Sequence, residues 1–306
     1  MKAPHHHHSA PATGFVDPRI LARIDNLELT ARFVVDGFIN GLHRSPYLGL
    51  SLDFAEHRPY MPGDDIRRID WKLWARTDRY FVKEFEADTN ANFVVLLDIS
   101  KSMSYSSKGI SKLDYGKFLG ASLAYFSSQQ RDRVGLVTFD QDIVEFVPPS
   151  AKHLNVVLHE IDRARSTKQG ALGPALQRAA GTLTRRGIVV LISDFYEDPE
   201  QVFEAVKPLR FKGNDLILFH VLDPAEIDFP FEGASSFEDV ETGERIPVVP
   251  ETQRERYREL IQNHIGALSK RFTDNRIEYQ LFDTATPLDY ALFTYLSNRE
   301  RLMKTR

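Results

Sequence analysis

The sequence contains no cysteine, which excludes disulfide bonds, thiolate metal sites and cysteine nucleophiles together. It also has no long hydrophobic run. The longest apolar stretches, Phe93–Leu97 and Ile188–Ile192, are far too short to span a bilayer, and the N-terminus has no apolar core of the kind that secretory signals carry. From these absences we expect a cytoplasmic protein without a transmembrane segment.

An excess of charge of one sign is also lacking. The 306 residues include 39 Lys and Arg against 43 Asp and Glu, which gives a net charge of -4, and the two signs are interleaved along the chain. No basic tail or face indicates a nucleic-acid partner. Hydrophobic residues make up 42% and charged residues 27%, as in folded globular proteins. We therefore expect a packed protein that does not bind nucleic acid.

The chain divides into three segments by pattern. Residues 1–15 form a Pro- and Ala-rich leader, and its histidine run, His5–His8, is better interpreted as part of a disordered or added tail than as a metal site. Residues 16–90 begin with Asp17–Pro18, which predicts a helix start, and continue with apolar residues at helical spacing and then a stretch of alternating charge. The third segment, 91–306, has the pattern of an α/β domain.

In this third segment, two continuous apolar strands of the kind that parallel sheets bury on both faces alternate with stretches of helical periodicity. This order predicts the fold class α/β, with a doubly wound, mostly parallel sheet flanked by helices. This alternation of strands and helices is interrupted at about 223–250. A Thr-Gly pair between short alternating runs there predicts a small hairpin insertion.

Oxygen-bearing side chains follow both apolar strands. Asp98 ends the first strand and Asp194 follows the second, and ligands of open α/β sheets gather at this edge. Ser100 and Ser102 occupy alternate positions after Asp98, so their hydroxyls can face one point with its carboxylate. Such oxygens suit a hard cation, and we predict an open Mg²⁺ or Mn²⁺ site. The alternative is that these residues only cap loops and helices.

The run Asp98-Ile99-Ser100-Lys101-Ser102 resembles the metal-ion-dependent adhesion site, or MIDAS, of von Willebrand factor A domains. The resemblance implies a von Willebrand factor A-like domain whose metal ion binds a carboxylate of a protein partner. Sites of this kind usually add a Thr from a second loop. Counting back from Ala175 places Gly170 near that position, so Thr167 joins the predicted ligands only if the loop bulges.

An upstream stretch resembles the signature of a bacterial family known as domain of unknown function 58 (DUF58). It reads RPYMPGDDIRRIDW from Arg58, followed by ART at 75–77, and the likeness extends from about Gly41 to the C-terminal helix. Members are similar to proteins encoded beside MoxR-type AAA+ ATPases, which are thought to assemble or activate other proteins. The resemblance therefore implies a MoxR-type ATPase or its client as the partner.

The charged residues of this signature have two interpretations. They can form a network of ion pairs and stacked aromatic rings that docks the segment on the main domain. They can instead form a partner surface, because Trp and Arg are enriched at binding hot spots. The residues concerned are Arg58, Asp64, Asp65, Arg67, Asp70, Trp71 and Arg76.

The sequence thus predicts a non-enzymatic binding module or adaptor with a divalent-metal site. No nucleophile and base stand in a recognisable arrangement, and no phosphate-binding glycine loop is present. Two alternatives remain open. One is a metal-dependent phosphoester hydrolase that uses Asp98 and Asp194, and the other is a scaffold whose metal site is inactive.

Overall fold

The structure is a computed structural model, and it describes residues 17–24, 26–44, 56–60, 73–74, 77, 79–84, 91–239 and 243–295. Its strands, in chain order, are β1 (Glu56–Pro59), β2 (Phe81–Glu84), β3 (Asn92–Asp98), β4 (Arg133–Phe139), β5 (Ile143–Ser150), β6 (Gly187–Ser193), β7 (Asp215–Leu222), β8 (Ser235–Glu238), β9 (Arg245–Val248) and β10 (Glu278–Asp283). Its helices are α1 (Pro18–Leu21), α2 (Leu27–Arg44), α3 (Lys112–Gln129), α4 (Leu154–Arg163), α5 (Leu172–Thr182), α6 (Pro199–Phe211), α7 (Pro224–Asp228), α8 (Pro250–Asp274) and α9 (288–295).

The central sheet has six strands in the spatial order β10-β7-β6-β3-β4-β5. Every neighbouring pair is parallel except β4 and β5, which are antiparallel and joined by a tight turn at 140–142. The sequence prediction of a mixed α/β fold with a mostly parallel sheet flanked by helices is confirmed. The antiparallel edge strand was not predicted, because periodicity gives a strand no direction.

Helices cover both faces of the sheet, which explains the continuous apolar runs. In β3 and β6 every residue after the first is buried. One face packs against α2, α3, α4 and α9, and the other packs against α5, α6 and α8. Both faces of the inner strands therefore lie in hydrophobic cores, as parallel strands require.

The switch point of the sheet lies between β3 and β6. From β3 the chain moves outward through β4 to β5, whereas from β6 it moves the other way through β7 to β10. The carboxyl ends of β3 and β6 are therefore adjacent, and the chain leaves them in opposite directions along the sheet. In open α/β sheets this crevice is where ligands bind.

Helix α3 approaches this crevice closely because glycines face the sheet. A Cβ atom on Gly116 would lie 3.1 Å from Leu97 Cδ1, and one on Gly120 would lie 3.2 Å from Val95 Cγ1. Ser111 and Asp114 form a capping box that fixes the start of the helix. The first residue of α3, Lys112, is thereby held at the carboxyl edge of the sheet, beside Asp194.

Two smaller ladders lie outside the main sheet. Strands β1 and β2 pair in an antiparallel manner, with Arg58 opposite Val82. Strands β8 and β9 form an antiparallel hairpin in which Ser235 lies opposite Val248, within the stretch where the sequence suggested an insertion. Helix α7, which precedes this hairpin, was not predicted.

Candidate metal centre

The loop after β3 turns two serine hydroxyls toward the strand end. Asp98 is buried, and its Oδ1 accepts a 2.8 Å hydrogen bond from the backbone N–H of Ser100. Residues Lys101–Ser104 then form one turn of 3₁₀ helix. The hydroxyl oxygens of Ser100 and Ser102 lie 3.1 Å apart, so they share one side of the loop.

The neighbouring strand β6 supplies the second carboxylate. Ser193, its last residue, donates a 2.6 Å hydrogen bond from Oγ to Asp98 Oδ2, and Asp194 follows, 4% exposed. Four predicted ligands line one pocket of about 460 Å³ at the switch point. They are Asp98, Ser100, Ser102 and Asp194.

The two aspartates repel each other. Burial, and after it the charge of Asp194, raises the pKa of Asp98 to about 7, although hydrogen bonds from Ser193 and Ser100 oppose the shift. Ionising a buried carboxylate next to a second carboxylate is costly. A cation placed between the two stabilises their ionised forms. The electrostatics of the pocket therefore favour a positive charge at this point.

A buried lysine, which the sequence reasoning missed, already lies at the second carboxylate. Lys112 Nζ is 2.8 Å from Asp194 Oδ2 and 2.8 Å from Glu226 Oε1, and it lies 4.6 Å from the centre of the Tyr196 ring. Burial lowers the pKa of Lys112, but the two carboxylates outweigh burial and the net shift is upward. One signal was available, since a cation at the first position of a helix opposes the helix dipole and needs a local partner.

Glu226 was also missed, because it lies on the unpredicted helix α7. Its Oε2 accepts a 2.8 Å hydrogen bond from the backbone N–H of Asp223, as part of a capping box. Burial raises the pKa of Glu226, and Lys112 opposes this shift. The carboxylate is thus held in place from two sides, by its own helix and by the lysine.

The second loop does not bring Thr167 into the pocket. Thr167 is exposed and is not among the pocket-lining residues, whereas Gly170 is. The loop reaches the serines by other atoms: Ser166 Oγ donates a 2.5 Å hydrogen bond to the carbonyl of Ser100, and Lys101 N–H donates to the carbonyl of Lys168 at 2.7 Å. Its backbone supports the metal loop, but its Thr is turned to solvent.

The signature residues are not placed by the structure. Arg58 contributes its backbone to β1, and the remaining ones lie outside the described residues. Their two interpretations, a docking network and a partner surface, both stay predictions. The residues outside are Asp64, Asp65, Arg67, Asp70, Trp71 and Arg76.

Across the described ranges, no group of three or more His, Cys, Asp or Glu side chains is arranged to hold a metal ion. The metal site therefore stays a prediction. At the pocket, the carboxylates of Asp98 and Asp194 are accompanied by the hydroxyls of Ser100 and Ser102. The donor set consists of hard oxygens, so its chemistry fits Mg²⁺ or Mn²⁺ rather than a softer metal.

Solved structures with a similar course of the chain include BatB, a conserved hypothetical protein from Bacteroides thetaiotaomicron. It is 22% identical, with 69% of this chain and 99% of that chain covered and a TM-score of 0.45. An aerotolerance-related membrane protein from Bacteroides fragilis is 20% identical, with 66% and 96% covered and a TM-score of 0.45. A membrane-spanning protein from Vibrio fischeri is 18% identical, with 68% and 97% covered and a TM-score of 0.24.

The expected cytoplasmic location is contradicted by these neighbours, because two of them are described as membrane proteins. We therefore withdraw it. In the part of the chain that the structure describes, no helix has both the length and the apolar character needed to cross a bilayer. The sequence argument failed because it inferred a compartment from missing features.

Relatives by sequence include uncharacterized proteins of Mycobacterium bovis and Mycobacterium tuberculosis. Each is 29% identical over 234 residues, which cover 74% of this chain and 73% of the relative. The model of the family described as protein of unknown function DUF58 matches residues 56–267. That match spans more than half of the chain, including β3, β6 and the pocket between them, and the chain belongs to the DUF58 family.

Proposed function

We propose that this protein is a non-enzymatic binding module of the von Willebrand factor A-like type, which recognises a partner through a divalent metal ion at the switch point of its sheet. The observation that carries the proposal is the convergence in one pocket of the four oxygen-bearing residues named above. They come from two strand ends separated by 95 positions in the chain. Simple capping of a loop does not require such a meeting.

The residues that would hold the ion are Asp98, Ser100, Ser102 and Asp194. When bound, a Mg²⁺ or Mn²⁺ ion would offer an open coordination position to an oxygen ligand from outside. The chain keeps these donors ready through contacts of its own. Ser193 fixes one oxygen of Asp98, the backbone of Ser100 fixes the other, and the second loop supports Ser100 through Ser166.

The pocket favours binding over bond breaking. Its lining residues include no histidine, and its lysine is paired with two carboxylates rather than held next to a nucleophile. The hydroxyl of Ser193, which is nearest to a carboxylate, donates to Asp98 as a fixed support. General acid and base chemistry needs a group that is free to exchange a proton with a substrate.

We further propose that the partner is a MoxR-type AAA+ ATPase or a client of one, and that it contributes a carboxylate. The support for the partner is the family resemblance, and the support for the carboxylate is the ligand preference of an open hard-cation site.

The test is capture of a MoxR-type ATPase by the immobilised protein, in Mg²⁺ and in chelator, with the native chain and with Asp98→Ala. We expect capture by the native chain in Mg²⁺ only, and none by the variant. Glu259→Ala, which removes an exposed carboxylate on α8, is the control and should behave as the native chain does. Equal capture in chelator would show a scaffold with an inactive metal site, and metal-dependent phosphoester turnover lost in Asp98→Ala would show a hydrolase.

A further inference from the structure

The binding role proposed above does not use Lys112, although its ammonium lies in the same pocket, 2.8 Å from a carboxylate oxygen of Asp194 and 2.8 Å from one of Glu226. We infer that Lys112 is an internal counter-cation, which occupies Asp194 in the metal-free protein and competes with a divalent ion for that carboxylate. The inference deepens the proposed metal site and rests on it. Through Lys112, the chain itself limits the affinity of the site for metal.

Stability alone does not account for a lysine at this position. The side chain of Lys112 is fully buried, and the desolvation of an ammonium usually cancels most of what its ion pairs return. The residue also opens α3, where the helix dipole is unfavourable to a cation. An apolar side chain together with neutral neighbours would fill the same space without these costs.

The two partners of Lys112 are not equivalent. Glu226 is held by the backbone of Asp223 within its own helix and lies outside the predicted ligand set, whereas Asp194 belongs to that set. The Tyr196 ring, 4.6 Å from Nζ, adds a cation-π contact on the same side chain. If an ion takes Asp194, the ammonium keeps Glu226 and Tyr196 as neighbours, so the exchange leaves no buried cation without a partner.

A fixed positive charge beside a cation site weakens binding in two ways. The ion must replace the ammonium at Asp194 Oδ2, and it is repelled by the same ammonium afterwards. Charges a few ångströms apart in a partly buried pocket interact strongly, so we expect removal of this charge to tighten metal binding about 10- to 100-fold. Lys112 thus sets the metal concentration at which the module becomes competent.

The experiment is calorimetric titration with Mn²⁺ of the full chain, native and Lys112→Met, with melting curves recorded in chelator and in Mn²⁺. We expect tighter Mn²⁺ binding by Lys112→Met, a lower melting temperature in chelator because Asp194 loses its counter-cation, and a larger rise on adding Mn²⁺. Lys168→Met is the matched control. It removes an exposed positive charge near the same loop without touching Asp194, and it should change the affinity less than about threefold.

A second variant guards against failure to fold. Lys112→Met with Glu226→Gln removes one charge of each sign and leaves Asp194 without its ammonium partner, and it should also bind Mn²⁺ more tightly than the native chain. If both variants fold and bind Mn²⁺ no more tightly than the native chain does, the inference is wrong, although the proposed metal site is not contradicted. Failure of every variant, including the native chain, to bind Mn²⁺ would overturn both.

Discussion

Ser193 Oγ and Asp98 Oδ2 are joined by a 2.6 Å hydrogen bond that links the carboxyl ends of β6 and β3. The contact ties the two strands together at the switch point of the sheet, and it leaves Asp98 with one fixed orientation. Because Asp98 Oδ1 accepts from the backbone of Ser100, the same carboxylate also sets the path of the loop that carries both serines. The geometry of the pocket depends on this pair.

Removing the hydroxyl in Ser193→Ala should weaken Mn²⁺ binding about 10- to 100-fold, as loss of a group that orients a metal ligand typically does. The measurement is calorimetric titration. The control is Ser122→Ala, which removes a buried hydroxyl that has no hydrogen-bond partner among the described residues. Equal affinity of native protein and Ser193→Ala would show that Asp98 needs no such support.

Asp98 should reduce the stability of the metal-free fold at high pH. A carboxyl whose pKa rises from 3.8 to about 7 on folding binds protons more tightly in the folded state, so its favourable contribution is present below pH 4 and is lost as the pH rises through 7. In chelator, Asp98→Asn should therefore be more stable than the native chain at pH 8 by about 1–3 kcal/mol, with a smaller difference at pH 5.

Urea denaturation at the two pH values, in chelator, measures this difference. A variant that is less stable than the native chain at pH 8 would contradict the repulsion between Asp98 and Asp194. Asp98→Asn should also gain no stability from Mg²⁺. This result would separate the destabilising effect of the buried carboxylate from its role as a metal ligand.

The second loop should contribute through its backbone rather than through Thr167. Because Thr167 is exposed and lies outside the pocket lining, Thr167→Ala should leave Mn²⁺ affinity within about twofold of the native value. Ser102→Ala removes a hydroxyl that lines the pocket and should weaken binding at least about tenfold. If titration ranks the two variants the other way, the loop rearranges on binding metal and brings the Thr to the ion.

The start of β6 should tolerate no side chain. Gly187 lies opposite Asn92 in the parallel ladder, and a Cβ atom there would collide with the carbonyl oxygen of Asn92. We expect Gly187→Ala to reduce the free energy of unfolding by about 1–3 kcal/mol. Gly173→Ala in α5, where an added Cβ meets no atom within 4 Å, should be neutral or stabilising by up to about 1 kcal/mol. Denaturant midpoints of both variants check the register of β3 and β6.

Much of the sheet was predictable because its inner strands have a recognisable local sequence pattern. The apolar runs Phe93–Leu97 and Ile188–Ile192 lie within the observed strands Asn92–Asp98 and Gly187–Ser193, because a continuous apolar run suits a strand that is buried on both faces. The convergence of Asp98 and Asp194 also followed from pattern, because parallel strands end at a common edge. The antiparallel β5 did not follow, because its alternating residues are compatible with either direction.

The lysine at the site could not be placed from sequence. Lys112 meets Asp194 across 82 positions and Glu226 across 114, and both contacts depend on the order of the strands and on the close approach of α3. The exposure of Thr167 similarly depends on the path of a loop. Residue spacing sets only the maximum distance that such a loop can span. Side chains that converge from separate elements are fixed by packing, which periodicity does not describe.

The divalent metal site is tested most directly by the melting temperature of the native chain and of Asp98→Ala, in Mg²⁺ or Mn²⁺ and in chelator. An ion that binds only the folded state stabilises it by about 2.7 kcal/mol at a hundred times its dissociation constant. We predict a metal-dependent rise of several degrees for the native chain and none for Asp98→Ala. The same melting temperature with and without metal in the native chain would contradict the site.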